Sequence, residues 1–233
     1  MRRLVVSALV LASVSLAAQS AIAADMPVKA RMPAAVSVYN WTGLYVGADL
    51  GAGWGKKDWD NLLGGAGSVI SHNPNGVLAG GQLGYNYQMG AFVLGIEGQW
   101  DWGNLKGSGD CQNTAFTCET RVNSIGSISG RVGYAWDRAL VYVKGGAAWA
   151  NDKYSATTKA TGVVTATASE TRSGAVIGAG LEYAFLQNWS ARLEYDYYAF
   201  GTKNVTFSDG STLGIKESIQ AVKLGINYKF GWP

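Results

Sequence analysis

The chain has 233 residues, of which 48% are hydrophobic and 15% are charged, and its formal net charge is +3. This length fits one domain, and the small, dispersed charge gives no support for a nucleic-acid partner. The 32 glycines and 9 tryptophans are many for a soluble domain, because turn-permissive and interfacial residues are both abundant.

The N-terminus has the parts of a secretory signal peptide. A basic start is followed by an apolar run over residues 4–18 and by an Ala-Ile-Ala triplet at 21–23, and together they predict a cleaved signal peptide over residues 1–23. Residues 24–38 contain two prolines and no usable period. We therefore expect a flexible periplasmic segment over 24–38 and one barrel domain over 39–233.

The rest of the chain reads as strands. No later stretch is apolar enough for a membrane helix, so any membrane span must consist of strands. The clearest strand is 219–230, where Val222, Leu224 and Ile226 alternate with small or charged residues, a period of two. Similar alternation predicts eight strands, at about 41–54, 77–87, 92–102, 121–134, 140–150, 172–184, 189–199 and 219–230.

The connections and the aromatic residues indicate a membrane barrel. Long polar connections alternate with short turns, as in outer-membrane barrels. Aromatic residues mark both strand ends, as in the belts at membrane interfaces. At the short-turn end they are Trp41, Tyr85, Tyr87, Phe92, Tyr134, Trp136, Tyr183, Trp189, Tyr228 and Phe230. At the long-loop end they are Trp54, Trp100, Trp102, Trp149, Tyr195 and Tyr197.

The sequence thus predicts an all-β fold, an eight-stranded antiparallel, up-and-down transmembrane β-barrel of the outer-membrane type. A soluble lipocalin-like barrel is the less favoured alternative, because its apolar residues would point inward.

Charged residues within the strands keep to the other phase, which would face the lumen. They are Asp49, Glu97, Asp101, Arg121, Arg131, Lys144, Arg172, Glu182, Arg192, Glu194, Asp196, Lys223 and Lys229. Six acids against seven bases predict a self-neutralising polar plug, since buried charges must be paired. Eight strands leave an interior that side chains fill, so we favour the plug over an ion path.

Several segments resemble one protein family. They are W-T-G-L-Y-V-G at 41–47, G-I-E-G at 95–98, G-R-V-G-Y at 130–134, K-G-G-A at 144–147 and W-S-A-R-L-E-Y at 189–195. The chain resembles the small outer-membrane surface proteins of alphaproteobacteria, called outer-membrane immunogenic proteins or RopB-type "porin family" barrels, which are OmpA-like eight-stranded barrels. The resemblance implies an integral protein of the Gram-negative outer membrane.

The C-terminus is similar to the signal that the barrel-assembly machinery reads. Lys223, Gly225, Tyr228 and Phe230 carry this similarity. Family members usually end at or just past the final Phe, whereas Gly231-Trp232-Pro233 follow here. Either Phe230 or Trp232 is therefore the terminal aromatic residue.

The expected function is that of a non-enzymatic surface protein that supports envelope integrity and displays extracellular loops. The alternatives are a narrow porin for small solutes and a haem-binding or ligand-binding surface protein. The only histidine is His72, in a polar stretch without a nearby acid, so we predict no catalytic residues, metal or cofactor. Expected partners are outer-membrane lipids, lipopolysaccharide, the assembly machinery and host or phage ligands at the loops; the oligomeric state stays open.

The two cysteines, Cys111 and Cys118, lie in the second long polar stretch. An even pair in an exported protein is usually bridged, because the compartment beyond the inner membrane is oxidising. We therefore predict a disulfide bond between them that orders one loop.

Overall fold

The computed structural model describes residues 39–60, 70–110, 116–206 and 212–231. The predicted signal peptide and the segment 24–38 lie outside the described residues, as do Cys111 and Trp232. No helix in the described ranges is long and apolar enough to cross a membrane.

The described chain forms one antiparallel sheet. Its order is β2-β1-β3-β4-β5-β6-β7-β8-β9, and β1 also pairs with β9, which closes the sheet into a barrel. The strands are β1 Gly43–Asp60, β2 Ile70–His72, β3 Asn75–Met89, β4 Phe92–Asp110, β5 Phe116–Trp136, β6 Ala139–Thr158, β7 Val164–Ala184, β8 Trp189–Thr206 and β9 Thr212–Lys229.

The short β2 and the long β3 together occupy one strand position of the barrel. Both pair with β1: Asn75 of β3 lies opposite Trp54, and His72 of β2 lies opposite Lys57. Pro74 separates them because proline has no N–H to donate to a ladder. Its carbonyl instead accepts a hydrogen bond from Gly55 N at 2.7 Å. The architecture is therefore an eight-stranded closed barrel with one interrupted strand, as predicted.

Burial alternates along the strands in the sense that a membrane requires. In β8, Arg192 and Glu194 are buried, whereas Leu193 is 45% and Tyr195 is 41% exposed. The apolar phase therefore points outward and the charged phase inward. This is the reverse of a soluble barrel and matches the lipid-facing band of outer-membrane barrels.

The strands are longer than the sequence predicted. Where the structure describes them, the four polar stretches that alternation assigned to long loops lie largely in strands, so that β4 reaches Asp110 and β6 reaches Thr158. The β6–β7 connection, for example, is only residues 159–163. The backbone hydrogen bonds of the ladder do not depend on an apolar outer face, which only lipid requires, so the hairpins continue where the apolar alternation stops.

A bulge in β5 corrects one predicted orientation. Val122 pairs with Asp152 and Ser124 with Asn151, which leaves Asn123 as an extra residue. A bulge of this kind reverses the in-and-out phase of the strand beyond it. Arg121 consequently points outward and its side chain is 45% exposed, so its predicted place in the lumen is wrong.

Candidate functional site: the barrel interior

The lumen holds most of the charged residues that the sequence assigned to it. Eleven of the thirteen are buried, and the exceptions are Arg121 and Lys229. Lys229 lies half-buried at the short-turn end, where its ammonium stands 4.4 Å from the centre of the Tyr39 ring. The eleven buried residues face the lumen because every second residue of a strand points to the same side of the sheet.

Lys144 stands at the centre of the lumen. Its Nζ lies 2.8 Å from Glu194 Oε1, 3.2 Å from Asp196 Oδ1 and 3.4 Å from Glu97 Oε1, and all four side chains are 0% exposed. The Gln99 Oε1 atom accepts a further hydrogen bond from it at 3.0 Å. One ammonium thus joins carboxylates from two strands, β4 and β8, across the barrel axis.

Two arginines on other strands than Lys144 also form ion pairs with Glu97. Arg192 Nη1 lies 2.9 Å from Glu97 Oε2 and its Nη2 lies 3.4 Å from Asp49 Oδ2. Arg131 lies between two tyrosines, with its guanidinium carbon 4.5 Å from the Tyr45 ring centre and 5.0 Å from that of Tyr142. Such stacking stabilises a desolvated guanidinium.

Glycines make room for these tyrosines. The Tyr142 hydroxyl donates to Glu194 Oε2 at 2.6 Å, and a Cβ at Gly180 would stand 2.5 Å from its ring. Tyr45 similarly donates to Glu97 Oε2 at 2.7 Å across Gly84, where a Cβ would overlap the phenol. Each tyrosine ring therefore lies over a glycine of the neighbouring strand and fills part of the lumen.

Lys223 closes the network on the extracellular side. Its Nζ lies 2.6 Å from Asp196 Oδ2 and 3.1 Å from Asp101 Oδ2, and it donates to the Tyr198 hydroxyl at 3.0 Å. An apolar layer follows, which consists of Leu78, Leu105, Val122, Ile125, Ala148, Ala150, Val176, Tyr198, Phe200, Ile219 and Ala221.

A second buried charge cluster lies beyond this apolar layer, and two of its members, Asp152 and Glu217, were not predicted to face the lumen. Arg172 Nε stands 3.1 Å from Asp152 Oδ2 and 3.3 Å from Glu217 Oε2, with all three side chains 0% exposed. Asp152 and Glu217 lie in stretches that were assigned to loops. The signal was present, since Asp152 continues the even-numbered inward phase of Lys144 and Tyr142.

The residues before β1 cover the periplasmic mouth. Trp41 is 2% exposed, its Nε1 donates to the Asp137 carbonyl at 3.1 Å, and its N donates to Gln88 Oε1 at 2.7 Å. Tyr39 N donates to Asp137 Oδ1 at 3.1 Å. Burial, reinforced by Glu182, raises the pKa of the Tyr39 phenol to about 12. The predicted place of Trp41 in the aromatic belt is wrong, because its ring packs inside the mouth.

The charge count inside the barrel also differs from the prediction. The buried acids are eight and the buried bases are five among the described residues. The plug is therefore formally acidic rather than balanced. No group of three His, Cys, Asp or Glu side chains in the described part of the chain is arranged to hold a metal ion.

The residues of the predicted assembly signal divide between the two faces of β9. Lys223 and Gly225 face the lumen, whereas Phe230 is 45% exposed on the outside. Tyr228 packs edge-to-face on Phe230, with ring centres 5.1 Å apart, and on Trp189 at 5.0 Å. Their recognition by the assembly machinery stays a prediction.

Comparison with known proteins shows the family to which this barrel belongs. The family described as outer membrane protein beta-barrel domain matches residues 6–230. The chain is 33% identical over 240 residues to the 31 kDa outer-membrane immunogenic protein of Brucella melitensis, covering 95% of this chain and 98% of that protein. It is 36% identical over 154 residues to a 22 kDa outer membrane protein of Rhizobium leguminosarum, covering 65% and 66% respectively.

Among solved structures, the outer membrane protein OprG of Pseudomonas aeruginosa is similar at 10% identity and a TM-score of 0.48, covering 83% of this chain and 99% of that one. The family match spans nearly the whole chain and the inverted burial pattern is that of a lipid-embedded barrel. The chain therefore belongs to the outer membrane protein β-barrel domain family and is an integral protein of the Gram-negative outer membrane.

Proposed function

We propose that this protein is a non-enzymatic structural barrel of the outer membrane, closed to solutes, that supports envelope integrity and displays its extracellular hairpins. The observation that carries this proposal is the packing around Lys144, which joins Glu97, Glu194 and Asp196 at the centre of the lumen with no exposed side-chain surface. Two apolar groups of residues flank the charged centre. A solute path would have to break these layers.

Planar-bilayer recording tests the closed lumen. Pure refolded protein should insert without ohmic, nanosiemens-scale openings, because a path would need the Lys144 and Arg192 ion pairs to separate in a lumen that side chains fill. Stable ohmic openings of that size would support the narrow porin instead. A matched measurement with a known porin at equal protein density controls for insertion.

The positions of the reactive groups support the non-enzymatic part of this proposal. The buried carboxylates, tyrosines and amines engage one another inside the lumen, out of reach of an external substrate. A general base must reach a bound substrate within hydrogen-bonding distance. Purified barrel should not hydrolyse ester, peptide or lipid substrates above a heat-unfolded control. Turnover that survives repurification would contradict this part of the proposal.

The envelope role predicts a defect when the protein is absent. Cells without it should become more sensitive to detergent and to large antibiotics, and the intact chain should restore resistance. Relatives of this chain are called immunogenic in their names, which is consistent with hairpins exposed to antibodies. Antibodies raised against the folded barrel should label intact cells, and labelling only after permeabilisation would argue against surface display.

A further inference from the structure

The outer face carries a row of three cations on neighbouring strands. Lys106 lies opposite Arg121, and Arg121 lies opposite Lys153, and all three are exposed. Like charges directly opposite one another destabilise a sheet. Within the described residues one ion pair reaches the row, between Glu119 Oε1 and Arg121 Nη2 at 3.4 Å. The row therefore keeps a net positive charge that an external anion would stabilise.

The bulge in β5 creates this row. Without the extra residue Asn123, Arg121 would continue the inward phase of Arg131. A cavity of about 500 Å³ lies beside the row. Its lining includes Glu119, Arg121, Asn123, Lys153, Ser155 and Ser169. Hydroxyl and amide donors thus accompany two of the cations, as an oxyanion requires.

The row has a defined height relative to the membrane. Trp102 and Trp149 belong to the outer aromatic belt and are 65% and 39% exposed. Lys106 and Lys153 follow them on the same strands, each about 13 Å further along at the usual rise per residue. Because belt tryptophans sit at the level of the headgroups, the cations stand at the polar surface of the outer leaflet.

An apolar groove of about 550 Å³ lies below the row on the outer face. Trp100, Ile128 and Trp149 form its apolar walls, and Gly81 and Gly98 are among the small residues that line it. A hydrocarbon chain fits such a surface, since no side chain fills the space above a glycine. Cations above a groove of this kind match an anionic headgroup with acyl chains attached.

We propose that Lys106, Arg121 and Lys153 bind phosphate groups of a lipopolysaccharide molecule in the outer leaflet, and that one of its acyl chains occupies the groove beside Trp100. This inference rests on the proposed function, because it names the lipid through which a closed structural barrel would stabilise the envelope. Basic residues near an anionic membrane surface each contribute about 1 kcal/mol, which is about fivefold in affinity.

The experiment measures binding of purified lipopolysaccharide to the refolded barrel in neutral detergent by native mass spectrometry. The triple variant Lys106→Ala/Arg121→Ala/Lys153→Ala should bind about 100-fold more weakly, from three losses of about fivefold each. Glu119→Gln should bind more tightly than the wild type. The control Lys216→Ala removes an exposed cation from β9, which lies on the far side of the barrel from β5, and should bind as the wild type does.

Heat-modifiable mobility on SDS gels confirms that each variant is folded before binding is compared. Dephosphorylated lipopolysaccharide should bind the wild type as weakly as the intact lipid binds the triple variant. Equal binding by the triple variant and the wild type, or an equal loss in Lys216→Ala, would overturn the site. Inorganic phosphate that competes at equal concentration would show a free-anion site and overturn the lipid assignment. The bilayer recording is independent of all these outcomes, so a failure of the closed-barrel proposal would be recognised separately.

Discussion

The lumen and the outer surface contain the same residue types, but in different roles. Lys144 and Lys153 lie on the same strand, β6, yet the Lys144 side chain is fully buried and contacts three carboxylates, whereas Lys153 is exposed on the outer face. The two lysines differ only in which face of the strand they occupy and in their height relative to the membrane. In this barrel a lysine that faces inward is held by buried carboxylates, whereas a lysine that faces outward above the belt is exposed.

The largest expected effect comes from removing the central ammonium. Lys144→Ala leaves Glu97, Glu194 and Asp196 without their shared cation, and breaking a buried ion pair costs about 3–5 kcal/mol of folding free energy. Lys153→Ala should change the unfolding free energy by less than about 0.5 kcal/mol, as exposed substitutions usually do. Urea unfolding of barrels refolded in lipid vesicles measures both.

Adding Glu194→Gln to Lys144→Ala sharpens this result. The second change removes one of the three negative charges that Lys144 helps to balance, so the double variant should be more stable than Lys144→Ala alone. Equal losses in Lys144→Ala and Lys153→Ala would show that the lumen is hydrated enough to solvate the carboxylates, and the contrast between the two faces would fail.

Two tryptophans at the periplasmic end give the next test. Trp41 is 2% exposed inside the mouth and Trp136 is 66% exposed on the outside. Trp41→Ala should cost about 3–5 kcal/mol, the usual range for a buried aromatic, and Trp136→Ala should cost less because its ring faces lipid. Protease added to the periplasmic side of oriented vesicles should also cut near residue 39 faster in Trp41→Ala. Equal destabilisation by the two variants would argue against a packed mouth.

The lipid-facing band gives a third test on one face of one strand. Ile96 is 68% exposed at mid-depth in β4, and Asn104 points the same way above Trp102. A cation at the lipid midplane costs about 2–4 kcal/mol and about 0–1 kcal/mol near the interface. Ile96→Arg should therefore destabilise the barrel by that larger amount and Asn104→Arg by the smaller. Urea unfolding in lipid vesicles measures both variants. Equal losses of folding free energy would show that the bilayer midplane does not lie at Ile96.

Gln99→Arg, on the inward face of β4, would not be a suitable control for Ile96→Arg. Its amide nitrogen donates to Asp49 Oδ2 at 3.1 Å and its oxygen accepts from Lys144 at 3.0 Å. An arginine at this position would bring a second cation next to Lys144, so the cost would combine crowding with repulsion.

The alternation of apolar residues was enough to predict the barrel and most of its charged interior. Period-two patterning assigns a side chain such as Glu97 to a face, and lipid outside forces that face to be the lumen. The strands were predicted correctly only within the lipid-facing part of the barrel. Asp152 and Glu217 lie above the belt, where the outer face no longer has to be apolar, so the alternation disappears although the ladder continues.

Two further errors came from the backbone rather than from the pattern. Arg121 shares the parity of Arg131, and only the extra residue at Asn123 separates their orientations. Trp41 has the position of a belt residue, yet the chain before β1 turns into the mouth towards Asp137. Alternation of side-chain types does not reveal a β-bulge, nor a segment that turns into the barrel mouth, because neither changes the pattern of residue types along the sequence.

The smallest expected effect concerns the loop between β4 and β5, which belongs to neither face. The predicted disulfide between Cys111 and Cys118 lies outside the described residues at Cys111, although the backbone of Cys118 pairs with Gly109 and Ala156. Closing so short a loop restricts the unfolded chain by about 2.5 kcal/mol at most on the chain-entropy relation. Mass spectrometry of the native protein should find no free thiol.

The double variant Cys111→Ser/Cys118→Ser should still insert and still shift in mobility on heating, because the ladder that carries β4 into β5 begins well below the bridge at Phe92 and Tyr134. Added protease should cut the tip faster once the bridge is lost. Loss of insertion in the double variant would instead make the loop part of the folding nucleus. Two free thiols in the native protein would show that the tip is held by the strand pairing alone.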